Sequence, residues 1–327
     1  MRVSELGSFE RGDIEEVADP VPGRGEVVVE IAAAPVNYVD VLTIRGVYQF
    51  GPDLPYTPGK GPAGVVRAVG EDVADVAVGD RVLAMAEYGG YAEAVAVDHR
   101  QVHRLPRNMP FVEAASMAVA FDTAWVALRD RARLVPGDSV LVLGASGAVG
   151  NAAVQLARAM DAAPVLAGVA SQHRLHEAGL AHVVDAVVDL SKPNLTESIR
   201  EEVFSATAGR GVDIVVDPLG GDAFDGAVRS VAWRGRLVVI GFAAGRIPTL
   251  QINYVLLKNI EVSGMQISDY RRLMPDYLAD GFREIFAFYE SGKITAPPHR
   301  TMPLGDWRAA LEMVESRRAG RRIVLVP

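Results

Sequence analysis

The chain has 327 residues, half of them hydrophobic, which is enough to bury the cores of two domains. A formal net charge of −8 and the lack of any basic stretch interleaved with aromatics exclude nucleic acid as a partner. There is no cysteine, which excludes disulfides, thiolate catalysis and cysteine-based zinc sites, and the six histidines show no H-E-x-x-H spacing. His99 and His103, four apart, read as surface imidazoles where a loop enters a strand. No uninterrupted run approaches the ~20 apolar residues of a membrane helix. The N-terminus lacks the apolar centre of a signal peptide. No membrane partner is expected, and the expected location is the cytoplasm.

In chain order, the first part is rich in short alternating runs such as Glu26-Val-Val-Val-Glu-Ile-Ala and Tyr91-Ala-Glu-Ala-Val-Ala-Val. Turn signals recur at Pro22-Gly23, Pro58-Gly59 and Gly79-Asp80. This predicts a mainly β unit, a compact barrel. Near Pro110 the pattern changes: 113–131 is helical, and strands then alternate with helices. Strands are predicted at 139–143, 164–168, 183–185, 213–217, 235–241 and 260–264. Six strands separated by helices fit a doubly wound parallel sheet, so the fold class is α/β. Helix patterns at 270–291 and 304–318 precede a last strand, Arg322-Ile-Val-Leu-Val. The expected domains are 1–120 with 265–327, and an inserted unit at 121–264. A ligand is expected where the two meet.

The most telling stretch is Val140-Leu-Val-Leu-Gly144-Ala145-Ser146-Gly147-Ala148-Val149-Gly150, followed by an apolar-periodic helix. Strand, glycine turn and helix are the context in which a dinucleotide fingerprint is meaningful. Glycine permits the sharp turn and close approach of a pyrophosphate, and the helix start offers N–H groups and partial positive charge. Alanine replaces the first glycine of G-x-G-x-x-G, which weakens the bare pattern. At the end of the second predicted strand an NAD site would present Asp or Glu; between Pro164 and Leu175 there is none. Ser171 and Arg174 supply a hydroxyl and a cation instead, a set suited to a 2′-phosphate, so NADPH is preferred. Arg174 is alternatively a solvated helix residue.

These features resemble the zinc-independent NADPH:quinone oxidoreductases of the medium-chain dehydrogenase/reductase superfamily. The ordered series that carries the resemblance includes Pro35-Val36-Asn37 with Asp40, Arg45-Gly46 with Tyr48, Ala63-Gly64-Val65-Val66, Gly79-Asp80-Arg81-Val82 and Gly90-Tyr91-Ala92-Glu93. It continues through Thr123-Ala124-Trp125, Gly211-Val212-Asp213, Gly235-Arg236-Leu237, Gly241-Phe242 and Leu256-Leu257-Lys258-Asn259-Ile260. The resemblance implies a GroES-like, mainly β catalytic domain and a Rossmann domain with a six-stranded parallel sheet. It also implies hydride transfer from NADPH to a quinone or an α,β-unsaturated ketone or aldehyde, without zinc. Zinc-bearing relatives carry Gly-His-Glu where this chain has Gly59-Lys60-Gly61, and quinone reductases often keep Glu at position 61, so the segment Lys60-Gly61-Pro62 is unusual.

By the same resemblance, Asn37 and Tyr48 line the acceptor site, with Tyr48 either a proton donor or a packing aromatic beside Phe50 and Tyr56. Asp40 either orients Asn37 or pairs with Arg45. The implied cofactor contacts are Thr123 near the nicotinamide, Ser146, Gly147, Ala148, Val149 and Gly150 at the pyrophosphate, Ser171 and Arg174 at the 2′-phosphate, Gly241 and Phe242 at the ligand end of their strand with the next loop over the nicotinamide ribose, and Arg321 near the cofactor. Arg246 reaches either phosphate or solvent, and Asp217 forms a turn capping the next helix. The edge strand near 260–264 implies a homodimer. Two other readings stay open: an enoyl-thioester reductase with the same hydride chemistry, and a non-catalytic NADPH-binding sensor or structural protein.

Overall fold

Val140–Leu143 forms a strand in which all four residues are buried, as happens when helices cover both faces of a parallel sheet. In the computed structural model, which describes residues 1–327, it lies in a six-stranded sheet with every neighbouring pair parallel. The strands in chain order are Val140–Leu143, Val165–Val169, Ala186–Asp189, Val212–Asp217, Val231–Val239 and Glu261–Gly264. Their spatial order is third, second, first, fourth, fifth, sixth. The order reverses between Val140–Leu143 and Val212–Asp217, so the crevice outside their carboxyl ends is the ligand position of a doubly wound sheet.

Two predicted strands are displaced. The third runs over Ala186–Asp189, not 183–185, because the chain offers two Val-Val pairs and the second one pairs with Leu166–Val169. Asp185 ends up at the sheet's entry, accepting hydrogen bonds from the Val165 N–H at 2.7 Å and Arg158 at 2.5 Å. The fifth begins at Val231, with a register shift against Val212–Asp217 and Arg234 at φ +63°. Leu141, Leu166, Val215, Phe224 and Leu237 belong to the core that packs against this sheet.

The chain divides into two units: Met1–Val119 with Ser268–Phe286 and Ala296–Pro327, and Ala120–Ile267 with Ala287–Thr295. The first unit is built on a sheet whose bonded path runs His299–Pro303, Arg322–Val326, Glu26–Pro35, Ala63–Val69, Arg81–Ala84, Val102–Arg104, with Ala94–Asp98 also on Glu26–Pro35. The C-terminal strand pairs antiparallel with Glu26–Pro35, through Val324 with Pro35 and Leu325 with Ala34. Val27, Val29, Ile31, Val82, Tyr91, Trp307 and Ile323 form its core.

The helical stretch expected at 113–131 is Phe111–Val126 continued by a π-helical turn, Ala127–Arg131. Within its 21 residues an 18-residue window reaches a mean hydropathy of 1.4, enough by length and composition to cross a membrane, which the sequence reading did not anticipate; 78% of that window is buried inside the fold. The pattern at 270–291 is two helices, Ile267–Leu273 and Pro275–Glu290, because proline breaks one helix and is well placed at the start of the next. Likewise 304–318 is a short Leu304–Asp306 turn followed by Trp307–Glu315.

Candidate active site

In the second unit the glycine turn is sterically specified. Gly144 sits at φ +64°, and a Cβ on Gly150 would lie 2.2 Å from the Gly144 carbonyl oxygen. Gly147 is the N-cap of Ala148–Ala159 and provides no side chain to cap it. The first-turn N–H groups have no acceptor within the helix, so they are available to an anion. Gly147 is exposed and Ser146, Ala148 and Val149 are half-buried, so the turn is open to a ligand. This donor set fits a pyrophosphate.

Ser171 is the N-cap residue of Gln172–Glu177, and its side chain makes no cap bond. Arg174 is exposed on that short helix and enters no ion pair. Together they present a hydroxyl and a cation just beyond the second strand, with no carboxylate.

Past the fifth strand, Phe242 is 43% exposed, and Gly241 lies near the Pro218 carbonyl. Arg246 is exposed to solvent, where it donates to Asp222 at 2.8 Å and also to Asp225. This pins the loop after Phe242 to the helix Gly221–Ser230. Asp217 is the turn former expected, with Oδ1 accepting from the Leu219 and Gly220 N–H groups at 2.8 Å each. Its buried Oδ2 has no partner, and burial pushes the carboxyl up to about 6. Thr123 is buried, and its hydroxyl donates to Asp122 at 3.4 Å.

In the first unit Asn37 is 5% exposed, and both ends of its side chain meet protein groups. Arg322 donates to its Oδ1 at 2.9 Å, and its Nδ2 donates to the Lys60 carbonyl at 3.4 Å. Asp40 does not pair with Arg45. Its Oδ2 accepts from the Asn37 N–H at 2.9 Å and the Tyr91 hydroxyl at 3.0 Å. Arg45 instead makes a two-pronged pair with Glu315, at 2.8 and 2.9 Å. Burial pushes the Asp40 carboxyl up to about 6, against the Asn37 hydrogen bond and the Lys60 charge.

Tyr48 is half-buried, edge-on to Phe50 with ring centroids 6.2 Å apart. Tyr56 packs edge-on against Tyr88 instead, at 5.6 Å. Arg321 is exposed beside Gly320, which has φ +62°. His103 is no surface imidazole: it is buried, stacked on Phe282 at 4.2 Å, and burial with the nearby Arg271 charge drives it down to about 3. His99 pairs with Asp75 at 2.7 Å.

A buried ion cluster was not foreseen. Glu87 accepts from the Lys60 ammonium and from Ser268 at 2.9 Å on one oxygen, and from Arg271 at 2.7 Å on the other. Burial opposes its ionisation, but the Arg271 and Lys60 charges win and hold the carboxyl at about 2. The only local signal was the odd Lys60 between two glycines; Glu87 and Arg271 are 184 residues apart.

A doubly wound sheet with an open glycine turn, joined to a mainly β unit that carries a buried polar cluster, defines an oxidoreductase of the medium-chain dehydrogenase/reductase fold. Residues 23–107 match the family model for the alcohol dehydrogenase GroES-like domain, and 148–280 match that for zinc-binding dehydrogenase. Quinone oxidoreductase-like protein 2 of Rattus norvegicus is 37% identical over 79% of this chain and 72% of its own length. A mycobacterial quinone oxidoreductase superposes with TM-score 0.90 at 27% identity, over 100% of this chain and 98% of that one. A mycobacterial structure complexed with NADPH gives the same TM-score and identity, over 100% and 99%. CurK enoyl reductase gives 0.87 at 25% identity, over 99% and 97%. The chain belongs to the zinc-independent quinone oxidoreductase-like family of the medium-chain dehydrogenase/reductase superfamily.

Proposed function

We propose that this protein reduces quinones or α,β-unsaturated ketones and aldehydes with NADPH. The observation that carries the reading is the uncapped, open start of Ala148–Ala159 behind the glycine turn, with Ser171 and Arg174 in place of an acid beyond the second strand. The mycobacterial relative with bound NADPH supports the same choice. When bound, NADPH supplies a hydride from its nicotinamide.

The chain's own groups have distinct tasks. Ser146, Gly147, Ala148, Val149 and Gly150 hold the pyrophosphate by backbone N–H groups, and Arg174 pairs with the 2′-phosphate. Thr123, Gly241 and Phe242 border the nicotinamide half. Asn37, locked by Arg322, orients the Lys60 backbone, and the Tyr48 phenol donates a hydrogen bond to the acceptor oxygen. The likeness to CurK enoyl reductase favours a second reading, reduction of an enoyl thioester by the same hydride chemistry. We also propose a homodimer formed through the edge strand Glu261–Gly264.

Loss of the reduced nicotinamide absorbance tests this directly. The panel is benzoquinone, phenanthrenequinone, an alkenal, a cyclic enone and crotonyl-CoA, each with NADPH and with NADH. Turnover of quinones or enones with preference for NADPH is expected. Turnover of crotonyl-CoA alone replaces the leading reading with the thioester one. Tight NADPH binding without turnover of any acceptor leaves a sensor or structural protein.

A further inference from the structure

A lysine taken out of water is costly unless its charge is paired and its donors are used. Lys60 is 2% exposed. Its segment bends inward through Gly59 at φ +97° and Gly61 at φ +71°. A Cβ on Gly59 would lie 2.7 Å from the Tyr91 backbone nitrogen, and one on Gly61 would lie 2.8 Å from the Ala118 Cβ. Asn37 holds the Lys60 carbonyl from the other side. The backbone is therefore shaped to deliver this ammonium to one place.

An ammonium has three N–H donors. Glu87 accepts one hydrogen bond, and the face of Tyr88 lies 4.5 Å from Nζ. Glu87 does not depend on Lys60 for its own position, since Arg271 and Ser268 hold it as well. The ring facing the ammonium is Tyr88, which in turn meets Tyr56 edge-on and donates through its hydroxyl at 3.3 Å to the carbonyl of Phe50, whose ring meets Tyr48. A fixed cation with donor capacity to spare, beside an aromatic face, suits a conjugated carbonyl whose oxygen becomes negative.

We propose that the Lys60 ammonium is an oxyanion-stabilising group of the acceptor site, donating a second hydrogen bond, beside that of Tyr48, to the acceptor oxygen as it takes on charge. The proposal rests on the reductase reading for its chemistry. In an enone, hydride forms the new C–H bond at the β-carbon, the C=C π pair shifts, and the C=O π pair becomes the third lone pair of an enolate oxygen. The acceptor is reduced and the nicotinamide is oxidised. Lys60 keeps its proton, and the enolate carbon takes one from solvent. A preformed donor aimed at developing charge in a dry site lowers the barrier without reorganisation.

The decisive experiment needs no turnover. Para-nitrophenol is titrated with the full-length protein, and its absorbance reports whether phenol or phenolate is bound. Wild type is expected to bind phenolate in preference to phenol, by about tenfold or more, equivalent to about one pKa unit for the bound dye. Lys60→Met is expected to abolish the preference, and Lys60→Arg to keep most of it. Lys60→Met leaves Glu87 paired to Arg271, so the fold should hold. If it does not, Lys60→Gln, which keeps a polar head without the charge, must lose the preference for phenolate. Equal binding of phenol and phenolate by wild type, or unchanged preference in Lys60→Met, overturns the proposal. In the reductase assay Lys60→Met should lower kcat on an enone by about a hundredfold with NADPH affinity unchanged. Failure of wild type to reduce any acceptor refutes the reductase reading, whereas the dye alone decides the anion site.

Discussion

Asp40 is the residue whose environment works hardest against its charge. It is 3% exposed, and its hydrogen bonds to the Asn37 N–H and Tyr91 hydroxyl only partly offset burial. Its pKa is about 6 in the folded chain against 3.8 for the free group, so the folded state holds the proton more tightly. The resulting stabilisation is full below about pH 4 and is lost as pH rises through about 6; the difference amounts to about 3 kcal/mol. Asp217 titrates in the same window for the same reason, so wild type alone does not isolate Asp40. Glu87 works in the opposite sense and elsewhere: held at about 2, it stabilises above 4.5 and loses that contribution as pH falls through about 2. We therefore expect the stability of wild type relative to Asp40→Asn to drop by about 3 kcal/mol between pH 4 and 7, measured by urea unfolding across that range. A difference that stays flat with pH would mean that Asp40 does not titrate in the fold. The sequence left Asp40 open between Asn37 and Arg45, both close in the chain, and only the helix start at Tyr38 shows that Asn37 is its partner. Tyr91, the partner that settles what Asp40 does, is 51 residues away, and Arg322, which locks Asn37, is 285 away. No local pattern encodes such contacts, and His103 was misread for the same reason: Phe282 covers it from a distant helix.

At the scale of elements, the glycine turn makes the sharpest demand. The clash at Gly150 is with backbone, the Gly144 carbonyl, which has nowhere to go without opening the strand–helix junction. At Gly147 the same oxygen would be 3.2 Å from a new Cβ, a contact that a small shift relieves. Gly150→Ala is thus expected to destabilise the chain by about 1–3 kcal/mol and to weaken NADPH binding at least about tenfold, whereas Gly147→Ala is milder in both. Nucleotide fluorescence titration beside thermal unfolding checks this. If Gly150→Ala unfolds more readily yet binds NADPH as wild type does, the helix start is not the phosphate site. Elements carried by an apolar run, such as Val140–Leu143 and the Ile-Val-Val of Val212–Asp217, were readable because burial on both faces dictates their composition. Those with competing signals were not. Two Val-Val pairs gave the third strand two registers, and only pairing with Leu166–Val169 selects one. The continuous periodicity through 270–291 masked a helix break that Pro275 enforces.

At the scale of the molecule the question is what covers an unfinished sheet. Glu261–Gly264 is hydrogen-bonded to Val231–Val239 along one edge, and its other edge faces no strand of this chain. In the same unit Ile247, Ile252, Leu256 and Leu257 are each more than two-thirds exposed. Leu256 and Leu257 project from Asn253–Lys258, the helix that leads directly into the edge strand. An open strand edge invites pairing with another strand, and a run of exposed large aliphatics beside it is the kind of surface that association buries. A two-fold axis through the edge would let each copy complete the other's sheet with identical residues. The double substitution Leu256→Asp, Leu257→Asp places like charges across such an interface and is expected to halve the mass seen by light scattering, with the glycine turn unaffected because it lies at the sheet's carboxyl end near the centre. If wild type is already monomeric at micromolar concentration, the edge is blunted by its own charged residues, with Glu261 paired to Arg133 at 2.6 Å, and the exposed leucines require another explanation.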